Sequence, residues 1–143
     1  MKKMPVVHSS ASVFRTDGVL IGHASVIQRR LLHKGRALRA GYVEGVAVRA
    51  DHRRQGVGGA LMAELERIIR AAHDLGALGS SDEGLPFYLG RSWERWRGPT
   101  SALTPSGVIP TPEEDGYIFV LPARATLDLD AELTCDWRGG DAW

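Results

Sequence analysis

The chain has 143 residues, 43% of them hydrophobic and 24% charged, which suits one soluble globular domain with a sizeable core. A single cysteine, Cys135, excludes an internal disulfide framework and a multi-cysteine metal site, and no apolar run reaches the roughly 18 residues that span a bilayer. The formal net charge of +1 hides an asymmetry: residues 1–110 hold 16 Lys and Arg against 9 Asp and Glu, whereas residues 111–143 hold 2 against 8.

Lys2 and Lys3 lead only into Pro5, Val6 and Val7, too little for a signal-peptide core. Residues 12–15 and 19–27 read as strands about the turn Thr16-Asp17-Gly18, and Asp-Gly is a strong hairpin signal. The second strand continues toward Leu32. His33-Lys34-Gly35 turns it back, and residues 36–48 form a third strand, giving an antiparallel meander. Residues 50–55 read as a loop. The spacing of Val57, Leu61, Leu65, Ile68, Ile69, Ala72 and Leu75 predicts an amphipathic helix over 57–75, with Glu64, Glu66, Arg67, Arg70 and Asp74 on its other turns and Gly76 as its stop. Residues 77–80 read as a strand, so strand, helix and strand imply a parallel pair with a right-handed crossover. Residues 86–89 begin a short helix ending near Gly90. Residues 93–97 and 101–103 look extended, and 104–112, with three prolines and a glycine, read as a loop. Residues 117–121 read as a strand. From Pro122 onward the chain is an acidic, poorly periodic tail in which Cys135 is a small residue with no special role.

The most informative stretch is Arg53-Arg54-Gln55-Gly56-Val57-Gly58-Gly59, set between the apolar strand 43–48 and the main helix. Loop glycines let the backbone approach an anion and aim N–H groups at it. The helix start adds partial positive charge, and arginines add forked hydrogen bonds. This order predicts a grip on a phosphorylated cofactor; a plain glycine-rich connection is the competing reading. The histidines (8, 23, 33, 52 and 73) have no metal-like spacing. Gln28-Arg29-Arg30 with Lys34, Arg36 and Arg39 lacks the aromatic interleaving of a nucleic-acid surface, and alternate hairpin arginines read as a solvated face.

A strand, then Arg-x-x-Gly-x-Gly, then an amphipathic helix resembles the GNAT superfamily of N-acetyltransferases. Further motifs narrow the likeness: Val26-Ile27-Gln28-Arg29-Arg30, Gly41-Tyr42-Val43-Glu44-Gly45-Val46-Ala47-Val48-Arg49-Ala50-Asp51, Gly98-Pro99-Thr100-Ser101, Phe119-Val120-Leu121-Pro122, and the ending Cys135-Asp136-Trp137-Arg138-Gly139-Gly140-Asp141-Ala142-Trp143. Together they look like an aminoglycoside 2'-N-acetyltransferase of actinobacterial type, from about residue 20 to the last. The resemblance implies an α/β (α+β) GNAT acyltransferase fold over residues 1–143, with a mixed, mostly antiparallel sheet around a central helix. Members begin with a strand and two helices before the first hairpin, and here Met1 falls almost at that hairpin. Either another chain, such as a second copy in a homodimer, covers the exposed sheet face, or the chain is a shortened, inactive version.

The resemblance also implies roles. The loop 53–59 holds the diphosphate of acetyl-CoA, and Val46 and Val48 offer backbone groups to its pantetheine arm by strand addition. Glu44 acts as base near the substrate amine; its competing role is a structural acid paired with an arginine such as Arg39. A carboxylate in an apolar stretch has a raised pKa suited to taking a proton near neutral pH. Tyr88 serves as general acid toward the thiolate, against an ordinary core tyrosine. Gly45, Asp115, Asp141 and Trp143 line the antibiotic site with Glu44. Asp115, Asp141 and the Trp143 carboxylate bind ammonium groups, and the Trp143 ring lies against a sugar or cation. The implied function is cytoplasmic transfer of an acetyl group from acetyl-CoA to the 2'-amine of a polycationic aminoglycoside, without metal, nucleic acid or membrane. A shortened domain that only binds coenzyme A, and an acetyltransferase for another small amine, are the alternatives.

Overall fold

The structure is a computed structural model describing residues 9–143, so the signal-peptide reading of Lys2 to Val7, and His8, lie outside the described residues. The predicted meander is present as β1 (Ser9–Thr16), β2 (Val19–His33) and β3 (Arg36–Val48). Its two turns, Asp17-Gly18 and Lys34-Gly35, have positive φ at both positions (52° and 75°, 49° and 77°), the twist that joins adjacent antiparallel strands without splaying them. Helix α1 (Val57–Ala72) crosses to β4 (Leu75–Gly79), which lies parallel to β3. Then come α2 (Leu85–Leu89), β5 (Glu94–Arg95), β6 (Thr100–Thr104), β7 (Gly107–Pro110), β8 (Ile118–Pro122) and β9 (Leu133–Cys135). The strands form one mixed sheet in the order β5-β8-β4-β3-β2-β9-β6-β7, with β1 also on β2.

Each face of the sheet buries its own core. On one, Val57, Leu61, Leu65 and Ile69 of α1 pack against Val26, Val43, Leu78, Tyr88 and Phe119. On the other, Leu31, Tyr42, Leu75, Trp96, Val120, Leu133 and Trp143 pack together. Strand alternation produces this division: Tyr42 and Val43, adjacent in β3, point to opposite cores.

Four expectations need correction. Helix α1 ends at Ala72, not residue 75: the His73 amide makes the last helical bond, to Ile69, and His73 is already extended. Leu75 kept the helical spacing because it is buried, but in the opposite core. Gly76 is not a stop; it lies inside β4, where a Cβ would meet Trp93 at 2.9 Å and Ile69 at 3.0 Å. The predicted loop 104–112 contains β7, an edge strand, where Pro110 at its last position removes no interior ladder bond. The acidic tail is built into the sheet through β9, with Cys135 fully buried.

The arginines and acids are likewise not all solvated. Arg29 is buried and its Nε donates to Asp136 at 2.8 Å. Glu66, 6% exposed, accepts from Arg91 at 2.9 and 2.7 Å and from the Trp93 indole at 2.8 Å, bolting α1 to the segment after α2. Burial opposes the Glu66 charge, yet the bonds from Arg91 and Trp93 hold its pKa below the ordinary 4.5. Because the folded value is depressed, the stabilisation is present above pH 4.5 and lost as pH falls through the folded value. Glu66→Gln should therefore lower stability at pH 7 by up to about 3–5 kcal/mol, the scale for breaking a buried pair. Denaturant melts at pH 7 and pH 3 should show the gap to wild type narrowing in acid; a gap independent of pH would assign the loss to packing.

Candidate functional site

The site begins where β3 and β4 stop pairing. Ala40, Gly41 and Tyr42 pair with Leu75, Gly76 and Ala77, and the register ends there. On its other edge β3 bulges: Ser25 faces Glu44 but His23 faces Ala47, and Gly45 takes a φ of +64° that a side chain would resist. The strands diverge around a cavity of about 370 Å³ bordered by Glu44, Gly45 and Val46 on one side and by Gly79, Ser80 and Tyr88 on the other. The β4-facing edge of β3, from Val43 through Val46 to Val48, has no partner strand among the described residues and runs from the cavity to the glycine loop.

The loop is held by its own backbone. Arg49 donates its amide to Ile21 at 2.7 Å, a short 3-10 turn covers Ala50–His52, and Arg53 Nε donates to the Val48 carbonyl at 3.2 Å. Arg54 and Gly56 take left-handed backbone (φ 64° and 79°), which swings the chain into α1. The first α1 bond runs from Ala60 to the Gly56 carbonyl, so the amides of Gly56, Val57, Gly58 and Gly59 have no acceptor among the described residues. Gly59 also makes room for Arg91, whose Nη1 lies 3.3 Å from where a Cβ would stand. Arg53, Arg54 and Gln55 are exposed around these amides, whereas the Val57 side chain belongs to the core.

Glu44 is half-exposed rather than buried, and its ion-pair partner is Arg138, not Arg39. The Arg39 amide instead donates to Asp74 at 2.8 Å. Arg138 also donates to the Asp141 carbonyl at 2.7 Å and stands 5.3 Å from the Tyr42 ring centre, while Arg29 stands 4.8 Å from the same ring. Burial pushes the Tyr42 hydroxyl well above its ordinary range, so it stays protonated. Tyr88 packs edge-on to Phe87 and Trp93 and against Phe119. Its hydroxyl makes no hydrogen bond among the described residues, and burial raises its pKa.

The acidic residues sort differently from expectation. Asp115 does not border the cavity and is committed to the framework, where its Oδ1 accepts from the Thr100 amide at 2.9 Å and the Thr100 hydroxyl at 2.8 Å. Its neighbour Glu114 takes the inward place. Burial, then the charges of Glu113 and Asp141, raise the Glu114 pKa, and its charge reaches Tyr42. The run Glu113-Glu114-Asp115 was visible in the sequence, but the phase of the 3-10 turn Pro112–Glu114 decides which acid points inward. Asp141 is exposed nearby. The Trp143 ring is 7% exposed and donates to Thr111 at 3.1 Å, so it packs in the core instead of stacking on a ligand. Its carboxyl carbon lies 3.8 Å from where a Cβ on Gly79 would stand, at the cavity wall. Glu44 borders the cavity with Tyr88, the Trp143 carboxyl stands at its Gly79 wall, and Glu114, whose charge reaches Tyr42, feels Asp141 nearby. Among the described residues no group of three His, Cys, Asp or Glu is gathered for a metal, and no helix is long and apolar enough to cross a membrane.

Residues 2–95 match the family described as an acetyltransferase (GNAT) domain. An aminoglycoside 2'-N-acetyltransferase of Mycolicibacterium fortuitum is 55% identical over 130 residues, covering 88% of this chain and 67% of its own length. A Trypanosoma brucei acetyltransferase structure is 32% identical, with a TM-score of 0.50 over 57% of this chain and 59% of that one. A Bacillus cereus acetyltransferase structure, 17% identical, reaches a TM-score of 0.56 over 81% of this chain and 74% of that one, and supports the fold alone.

The two neighbouring acids should separate in a thermal melt. Asp115→Ala removes the acceptor of the buried Thr100 amide, while the Thr100 hydroxyl keeps Thr111, and should lower stability by about 1–3 kcal/mol. Glu114→Gln relieves a buried like charge and should leave the melting temperature unchanged or higher. Equal losses would mean that both acids are structural.

Proposed function

Because this chain belongs to the GNAT acetyltransferase family, we propose that it transfers the acetyl group of acetyl-CoA directly to the 2'-amine of an aminoglycoside within a ternary complex. The observation that carries this reading is the continuity of three features: unpartnered loop amides, an open strand edge and a cavity bordered by Glu44 and Tyr88. The residues fit coenzyme A. Amides 56–59, with Arg53 and Arg54, suit a diphosphate, and Gln55 stands at the same loop. Backbone groups of Val46 and Val48 suit an amide-bearing arm lying in the gap left by β4. When bound, acetyl-CoA supplies a thioester whose carbonyl carbon accepts the amine and whose sulfur departs.

The chain's own residues manage charge and protons. Glu114, Asp141 and the Trp143 carboxylate draw a polycation to the cavity and orient it. Glu44 takes a proton from the reacting ammonium, directly or through water, freeing the nitrogen lone pair. Tyr88, kept protonated by burial, gives its proton to the departing sulfur. Holding both reactants in place supplies most of the rate gain, and the base and the acid each contribute about 10²–10⁴-fold. The product amide carries one cation fewer, which weakens binding to RNA and confers resistance. Residues 1–143 act in this reading as one domain in the cytoplasm, with 122–143 an integral part and a second copy a candidate partner.

A thiol-release assay with acetyl-CoA and an aminoglycoside bearing a 2'-amine tests the reading; absence of thiol release with every such compound would overturn it. Glu44→Gln should lower kcat at least 100-fold while leaving acetyl-CoA binding intact, and Tyr88→Phe should lower kcat by ~100-fold or more. Glu114→Gln should raise the aminoglycoside KM and spare that for acetyl-CoA. Unchanged turnover in Glu44→Gln would remove this carboxylate from the chemistry.

A further inference from the structure

We propose that Arg138 determines specificity: in the free protein its guanidinium occupies the cation position beside Glu44, so that ligands with several ammonium groups enter and singly charged amines are held out. The inference rests on the proposed function, because it concerns the amine side of the same cavity.

Three observations support it. First, Arg138 Nη1 is paired directly with Glu44 Oε1, and each side chain is 30% exposed. The cation position is therefore already filled, but by a wet pair that another cation can replace without stranding a fully buried charge. Second, Arg138 is tethered. Its segment is anchored at one end by Asp136, which Arg29 holds at 2.8 and 3.0 Å and the Arg30 amide at 3.2 Å. At the other end Trp143 donates to Thr111 at 3.1 Å. A tethered group competes at an effective concentration of millimolar order or above, which a lone ammonium at micromolar concentration does not match. Third, acids around the pair keep charges that Arg138 does not neutralise. Glu114 feels Asp141 and Glu113, and the terminal carboxylate stands beside Gly79. A polycation engages these together and outcompetes the tethered guanidinium, whereas a monoamine cannot. Displaced Arg138 keeps its bond to the Asp141 carbonyl and its place over Tyr42, so release from Glu44 leaves it two of three contacts. The arrangement discriminates by what it blocks as much as by what it attracts.

Calorimetric titration of the acetyl-CoA-free protein with tobramycin (a 2'-amino polycation) and with glucosamine (a 2-amino monoamine) tests this without turnover. Failure of the proposed activity shows only in the thiol assay. In Arg138→Gln and in Arg138→Met, which keeps the apolar stem over Tyr42, the ratio of the glucosamine to the tobramycin dissociation constant should fall about tenfold, through tighter glucosamine binding. Arg138→Lys, which keeps a cation on Glu44, should retain the wild-type ratio within threefold. A fall under threefold in both neutral variants, or one caused by weaker tobramycin binding alone, overturns the proposal. So does a wild type that binds tobramycin no more tightly than glucosamine. Should both neutral variants fail to fold, wild-type fluorescence decides: Trp137, 56% exposed beside Arg138, should respond to tobramycin, and Trp137→Phe should cancel the response. Absence of any such response counts against the proposal.

Discussion

Three residue pairs join β3 to β4, and the chemistry of the molecule depends on the pairing stopping there. Beyond Tyr42 and Ala77, β3 bends at the Gly45 bulge while β4 stays paired with β8 along its whole length, from Leu75 with Pro122 to Gly79 with Ile118. The gap gives a strand edge with free amides and carbonyls, and a sheet tolerates such an edge only where something else covers it. Here the edge leads from the carboxylate of Glu44 to the loop at the start of α1. Sealing the gap with more ladder bonds would stabilise the sheet and remove the cavity.

The two faces of the sheet divide the work. The α1 face carries the glycine loop and Tyr88, whose surroundings are apolar and whose proton is retained through burial. The opposite face carries Glu44, Glu114, Asp141 and the terminal carboxylate, set on segments that also bury Tyr42, Trp96 and Trp143. The charge asymmetry of the sequence is thus a spatial one: exposed arginines and free amides precede α1, and carboxylates gather on the other side. The cavity is where the two meet.

Much of this was legible in the residues. Asp-Gly and Lys-Gly marked the hairpins, the stripe of α1 marked its core face, and the glycine loop stands between strand and helix where the sequence put it. What escaped was decided by contacts distant in sequence. Leu75 fits a helical stripe as well as it fits β4, and only pairing with Ala40 settles which. Glu66 looks like any surface acid until Arg91 and Trp93 close on it. The choice between Glu114 and Asp115 turns on a single 3-10 turn and on Thr100. Arg138 lies within an acidic ending, and nothing local identifies Glu44, far earlier in the chain, as its partner.

The placement of β9 also bears on how the molecule is made. It lies antiparallel to the end of β2 and parallel to β6, and its bolt, Arg29 to Asp136, links positions 107 apart in the chain. The end of β2, made early, must therefore wait with an open flank until β9 is made and slots between it and the much later β6. Closure of so distant a register is slow, and the waiting flank is exposed to association with other chains. Ribosome-stalled or prematurely terminated products lacking β9 would then be ready clients for holdase chaperones and proteases.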